Sequence, residues 1–232
     1  MNSAEQGNHL TVEPAVRPGL REVREYHLSR LANALRRPGM WGGEITLGLF
    51  LDAVAFIDGR PEEWSRDQDE LRTSGAFTSI GVRGGFAAVL PGHDCEGATA
   101  SVYGDIAYKR GWLSAERVLP DGLFRRLRSG AEWLIRDWSL DEVLAVFGEP
   151  SVWFGGANPR FPKTLAYAGA DRADGLVCLH FASTYDWQAD PPAPDTPPIL
   201  LAARHGVGPF PERFTFTPTG SAVRARTEED DD

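Results

Sequence analysis

The chain is short of cysteine, of lysine, of positive charge overall and of long apolar runs, and each shortage excludes something. Cys95 and Cys178 are the only cysteines among 232 residues, too few for the disulfide framework that braces small secreted folds. No run approaches the ~20 apolar residues of a helical membrane span. Met1 to Pro14 lacks the charged-then-apolar order of a secretion leader, so the expected location is the cytoplasm. Lysine occurs only at 109 and 163, and the 24 basic residues face 33 acidic ones, for a net charge of −9. That balance argues against a general nucleic-acid binder or a protein of anionic membrane surfaces. What the chain does have is 42% hydrophobic residues and seven tryptophans, ample for a core at this length.

Periodicity divides it. Residues 1–18 are polar and punctuated by proline, and read as a flexible arm. Leu20, Val23, Leu31 and Leu35 recur at helical spacing up to Pro38, which ends the helix. Glu44 to Ile57 is apolar nearly all round, which predicts a central helix. Pro61, with Glu62 and Glu63 behind it, opens a third helix to about Arg72. Residues 75–91 fit a short helix or a strand equally well. Ala98 to Gly111 and Leu123 to Asp137 read as two more helices.

The texture changes at Trp138. Ser139 and Glu142 form a capping box for a short helix stopped by Gly148-Glu149-Pro150. Short β-type runs follow at Val152–Phe154, Thr164–Ala168, Leu176–Phe181, Ile199–Arg204 and Phe214–Thr217, close enough together to favour antiparallel pairing. Asp190 to Pro198 is a proline-rich connector, and Glu228 to Asp232 is an acidic terminus. The expectation is an α+β protein, with an N-terminal helical layer packed on a C-terminal antiparallel β-meander. One domain spans 19–221, its helical part 19–137 and its helix-plus-sheet part 138–221, and 222–232 forms a disordered acidic tail.

The segment Arg36-Arg37-Pro38-Gly39-Met40-Trp41-Gly42-Gly43 is a corner between two helices, its glycines allowing positive φ and its Met40 and Trp41 expected to fold back as a plug. The Arg-Pro-Gly-Met-aromatic-x-Gly string resembles the start of the ATP-binding domain of type II topoisomerase B subunits. That family needs a Glu and an Asn on the following helix, and Leu47 to Asp58 contains neither, so the ATPase implication fails. The same turn, near the start of an acidic chain, resembles several immunity proteins of bacterial polymorphic toxin systems. That resemblance implies inhibitor-type binding of a protein partner. From Leu140 to Phe181 the helix, stop and meander resemble a unit of beta-lactamase inhibitory protein and of small outer-membrane assembly lipoproteins, with no functional residue carried over.

Catalytic signatures are sparse. His93-x-Cys95 and Cys178-x-His180 could together supply two imidazoles and two thiolates for tetrahedral zinc, although such short spacing is unusual and no cofactor is expected. Neither cysteine looks activated: Cys95 lies between Asp94 and Glu96, and Cys178 in an apolar strand. Ser151 and Ser183 lack a nucleophile elbow. Asp52, on an apolar helix, is expected to be half-buried and paired with Arg30, Arg36 or Arg37. The acidic face Glu62, Glu63, Asp67 and Glu70, with Trp41, Trp64, Tyr185 and Trp187 as aromatic anchors, is the candidate partner-binding surface. Such a face could plug the basic active site of a toxin domain. The alternative is a small enzyme or accessory protein of bacterial secondary metabolism, with a pocket between helices and sheet.

Overall fold

The structure is a computed structural model that describes residues 19–92, 96–155, 162–183 and 198–230. Helices α1 (Leu20–Arg36), α2 (Gly43–Ile57), α3 (Pro61–Thr73), α4 (Val82–Val89) and α5 (Glu96–Lys109) come first. Then follow α6 (Asp121–Arg128) and α7 (Leu140–Phe147), strands β1 (Val152–Phe154), β2 (Lys163–Ala168), β3 (Leu176–Ala182), β4 (Ile199–Arg204) and β5 (Phe214–Phe216), and finally α8 (Pro218–Asp230). The strands form one sheet in the order β1-β2-β3-β4-β5, every pair antiparallel. The α+β class and the meander are therefore as expected. The expected arm at residues 1–18 lies outside the described residues.

The two faces of the sheet carry different side chains because neighbouring strand residues point oppositely. Ala166, Ala168, Leu176 and Cys178 join the core made with α1 to α5. Leu165, Tyr167, Val177, Leu179 and Phe181 join a second core with Phe124, Leu127, Trp133, Trp138, Val143 and Phe147. Helices thus cover both faces, and β2 is buried at every position. A sheet sandwiched in this way loses the in–out alternation of a half-exposed one, so its strands read as nearly continuous apolar runs.

Helix α5, not α2, is the central helix. It buries residues on every side, including Gly97, Ala98, Ala100, Ser101, Gly104 and Ala107. Small side chains let it approach β1 so closely that a Cβ at Gly97 would stand 2.8 Å from the Phe154 carbonyl oxygen. Hydrophobicity alone favours α2, but α2 buries only the face of Leu47, Leu51, Val54 and Ala55. Sequence also overextends the helix before Trp138: α6 ends at Arg128, and Gly130, with φ 31°, leads a separate 3-10 turn. The undecided segment 75–91 contains α4. Helix α8, Pro218–Asp230, extends into the segment 222–232 where composition predicts a tail. The capping box before α7 is present, with the Ser139 amide donating to the Glu142 carboxylate at 2.8 Å.

Candidate functional site

The corner between α1 and α2 sets the site's geometry. Gly42, at φ 91°, is the left-handed N-cap of α2. Trp41 is half-buried, edge-on to Phe50 at 6.1 Å, and the Arg30 guanidinium lies 5.1 Å from its ring centre. Met40 does not plug the corner; it is 78% exposed, because the 3-10 turn of Pro38–Met40 aims it outward. Immediately beyond, the Glu44 carboxylate leaves its own helix. It accepts hydrogen bonds from the Val82 amide at 2.7 Å and the Tyr103 hydroxyl at 2.8 Å. It therefore caps α4 and ties α2, α4 and α5 together, a favourable place for a negative charge. Burial, and next the Glu44 charge, push the Tyr103 phenol far above its usual value.

Around this knot lies an apolar groove of about 440 Å³, walled by α2, α3 and the turn before α4; Ile45, Gly48, Leu71, Phe77, Ile80 and Tyr103 are among its lining residues. Gly48 has open space where a Cβ would be, so the absence of a side chain there helps to form the hollow. Ile80 sits in a tight turn closed by reciprocal Thr78–Gly81 backbone hydrogen bonds of 3.0 Å, and is 68% exposed. Ile45 belongs both to the groove and to a second feature. At spacings of four, three and four residues, Ile45, Leu49, Asp52 and Phe56 share one face of α2. All four are exposed, with Leu49 at 65% and Phe56 at 77%. Asp52 is thus neither half-buried nor paired with Arg30, Arg36 or Arg37. Its carboxylate makes no ion pair among the described residues, because the face that α2 buries is the opposite one.

The acidic face of α3 is not one open surface. Trp64 is buried at 2% exposure and cannot serve as a surface anchor. Arg110, the residue after the end of α5, takes Asp67 bidentately at 2.9 and 2.6 Å and also pairs with Glu63, which Arg60 holds as well. Those carboxylates secure α3 to α5. Glu62 and Glu70 are exposed, Glu70 accepting from Arg213 at 3.3 Å. Tyr185 and Trp187 lie outside the described residues.

Of the zinc alternative, His93 and Cys95 also lie outside the described residues. Cys178 and His180 do share a face of β3, but both are buried in the core. The Cys178 thiol is in contact with Arg204, at 3.3 Å from its Nη2, and burial pushes its pKa up to about 11; a thiol so disposed is a poor ligand at neutral pH. Among the described residues no cluster of His, Cys, Asp and Glu could hold a metal ion. Ser151 is buried, its Oγ accepting from the Ala168 amide at 2.9 Å, a structural role.

Sequence reasoning missed the groove. Glu44 stands in the first turn of α2, where a carboxylate suits that helix's own dipole, and only the fold places it at the start of α4. The exposed stripe was detectable: a helix apolar on all sides requires cover on all sides, and Ile45, Leu49 and Phe56 fall on the face opposite Leu47, Leu51 and Val54. No protein-family model, curated protein or solved structure matches the chain. No helix among the described residues is long and apolar enough to cross a membrane.

Proposed function

We propose that the chain is a protein-binding protein of inhibitor type, and that its recognition surface is the groove with the adjoining exposed face of α2. One observation carries the reading: the apolar surface is continuous, from Phe77 and Ile80 through Ile45 to Leu49 and Phe56, and one unpaired carboxylate, Asp52, stands within it. Exposed apolar surface of this kind is costly in water unless a partner covers it. The fitting occupant is an amphipathic helix that sets apolar side chains into the groove and a basic side chain against Asp52. The excess of negative charge over the whole chain favours such a basic partner and speeds its approach. The resemblance of the Pro38–Gly43 corner to immunity proteins agrees with this reading and makes a toxin domain the first partner to test.

The test is growth of cells expressing the product of a neighbouring toxin-like gene, with and without this chain. Rescue by the wild-type chain, lost in the Ile45→Asp, Leu49→Asp double variant, supports the reading. Rescue that the double variant retains rejects the surface, and an absence of rescue rejects the toxin partner.

A further inference from the structure

A second cavity, of about 390 Å³, opens between α3, α5 and the β4–β5 end of the sheet, and its character is opposite to that of the groove. Four cationic side chains line it, Lys109, Arg110, Arg204 and Arg213, against three carboxylates, Asp67, Glu70 and Asp105. Lys109 pairs with Asp105 at 2.8 Å, Arg110 with Asp67 at 2.6 Å and Arg213 with Glu70 at 3.3 Å. Arg204 is left over. It is only 2% exposed and makes no ion pair with a carboxylate among the described residues.

The neighbours of Arg204 do not neutralise it. Its Nη2 reaches Ser101 Oγ at 3.1 Å and Cys178 Sγ at 3.3 Å, and its Nε is buried with no hydrogen-bond partner. Asp105, on the wall of the same cavity, is occupied by the Leu176 amide as well as by Lys109. Burial, and next the charge of Arg204, hold the Arg213 guanidinium below its usual value. A buried guanidinium without a counter-charge is expensive to maintain, and one that lines an open cavity is matched when an anion enters.

We infer that this cleft binds a small organic monocarboxylate, with the carboxylate against Arg204 and Arg213 and a short aliphatic body against Leu71, Val102 and Ile106. The excess over paired charge is a single positive charge, and the three carboxylates already present oppose a dianion. A planar carboxylate suits the fork of a guanidinium. The apolar wall residues take the chain, and Val207, 80% exposed, stands at the mouth. The cleft shares Leu71 with the α2 groove but none of the groove's other lining residues, and it stands or falls independently of the protein-binding reading.

Thermal denaturation and calorimetric titration of the full chain test it at fixed ionic strength, with sodium hexanoate, sodium phosphate and hexylammonium chloride as probes. The expected result is a saturable rise in Tm with hexanoate alone. Arg204→Met, which keeps bulk and removes charge, should weaken hexanoate by about 30-fold or more. Should that variant not fold, Val207→Glu at the exposed mouth decides, with an expected weakening of about threefold from like-charge repulsion. No saturable response to hexanoate, an equal response to phosphate or hexylammonium, or an undiminished response in the deciding variant overturns the assignment.

Discussion

The two sides of the sheet are built from different materials. Behind it, Trp133 meets Trp138 edge-on at 5.5 Å and Phe147 at 5.2 Å, and Tyr167 lies 6.1 Å from Phe147. The indole of Trp133 donates to the Leu127 carbonyl, and that of Trp138 to the Trp133 carbonyl. Large rings whose polar atoms are satisfied fill that layer and fasten α6 and α7 to the strands. In front, α5 brings small residues and close backbone approach, with the α2 groove and the charge-lined cleft among the helices around it. The front core packs as well, with Phe86, Phe210 and Phe214 edge-on to one another, but it also carries surfaces that something else can occupy.

Substitutions can break that contrast, and the largest effect belongs to the rear layer. Trp133→Ala should cost about 3–5 kcal/mol by urea denaturation, while leaving any affinity at the front unchanged per folded molecule. Next comes the brace of the front layer at Asp58. Its carboxylate takes Arg24 at 2.6 and 3.0 Å and the Trp112 indole at 3.0 Å, and Asp58→Asn should cost about 2 kcal/mol. The hydrogen bond from Arg24, above all, holds the Asp58 carboxyl below its ordinary value. Because the folded value is the lower one, this stabilisation is complete above the unfolded value of about 4 and disappears as pH falls through the folded value. Denaturation measured between pH 7 and pH 2 should therefore depend less on pH in Asp58→Asn.

A smaller effect, of opposite sign, is expected at Gly48. A methyl group there meets open space on a helix, so Gly48→Ala should stabilise by about 0.5–1 kcal/mol; a fall in Tm would show that the groove is not open at that point. The smallest stability change should come from Leu49→Asp, within about 0.5 kcal/mol of zero. A large loss there would mean that the α2 face is covered within the protein.

How much of this was legible in the sequence follows from the kind of signal each part leaves. The meander was readable because turns punctuate short apolar runs, and Val152–Phe154 and Ile199–Arg204 fall where those runs predict. The end of α1 at Pro38 and the Ser139 capping box were readable because they are local chemistry. The choice between α2 and α5 as the central helix was not. Packing of α5 depends on small residues meeting Phe154, a contact between segments that lie far apart in the chain. Trp64 illustrates the same limit: its charged neighbours suggest a surface, while its own side chain turns inward. Arg204 ends an apolar strand, and only the pairing of every other charge around it shows that it lacks a counter-ion.

The most direct test of a recognition surface on α2 uses tagged wild-type chain and the Ile45→Asp, Leu49→Asp variant, expressed in the same cells and purified side by side. Equal Tm for the two, with a basic protein retained in stoichiometric amount by the wild type alone, is the predicted result. Equal Tm with the same proteins retained by both would contradict the account.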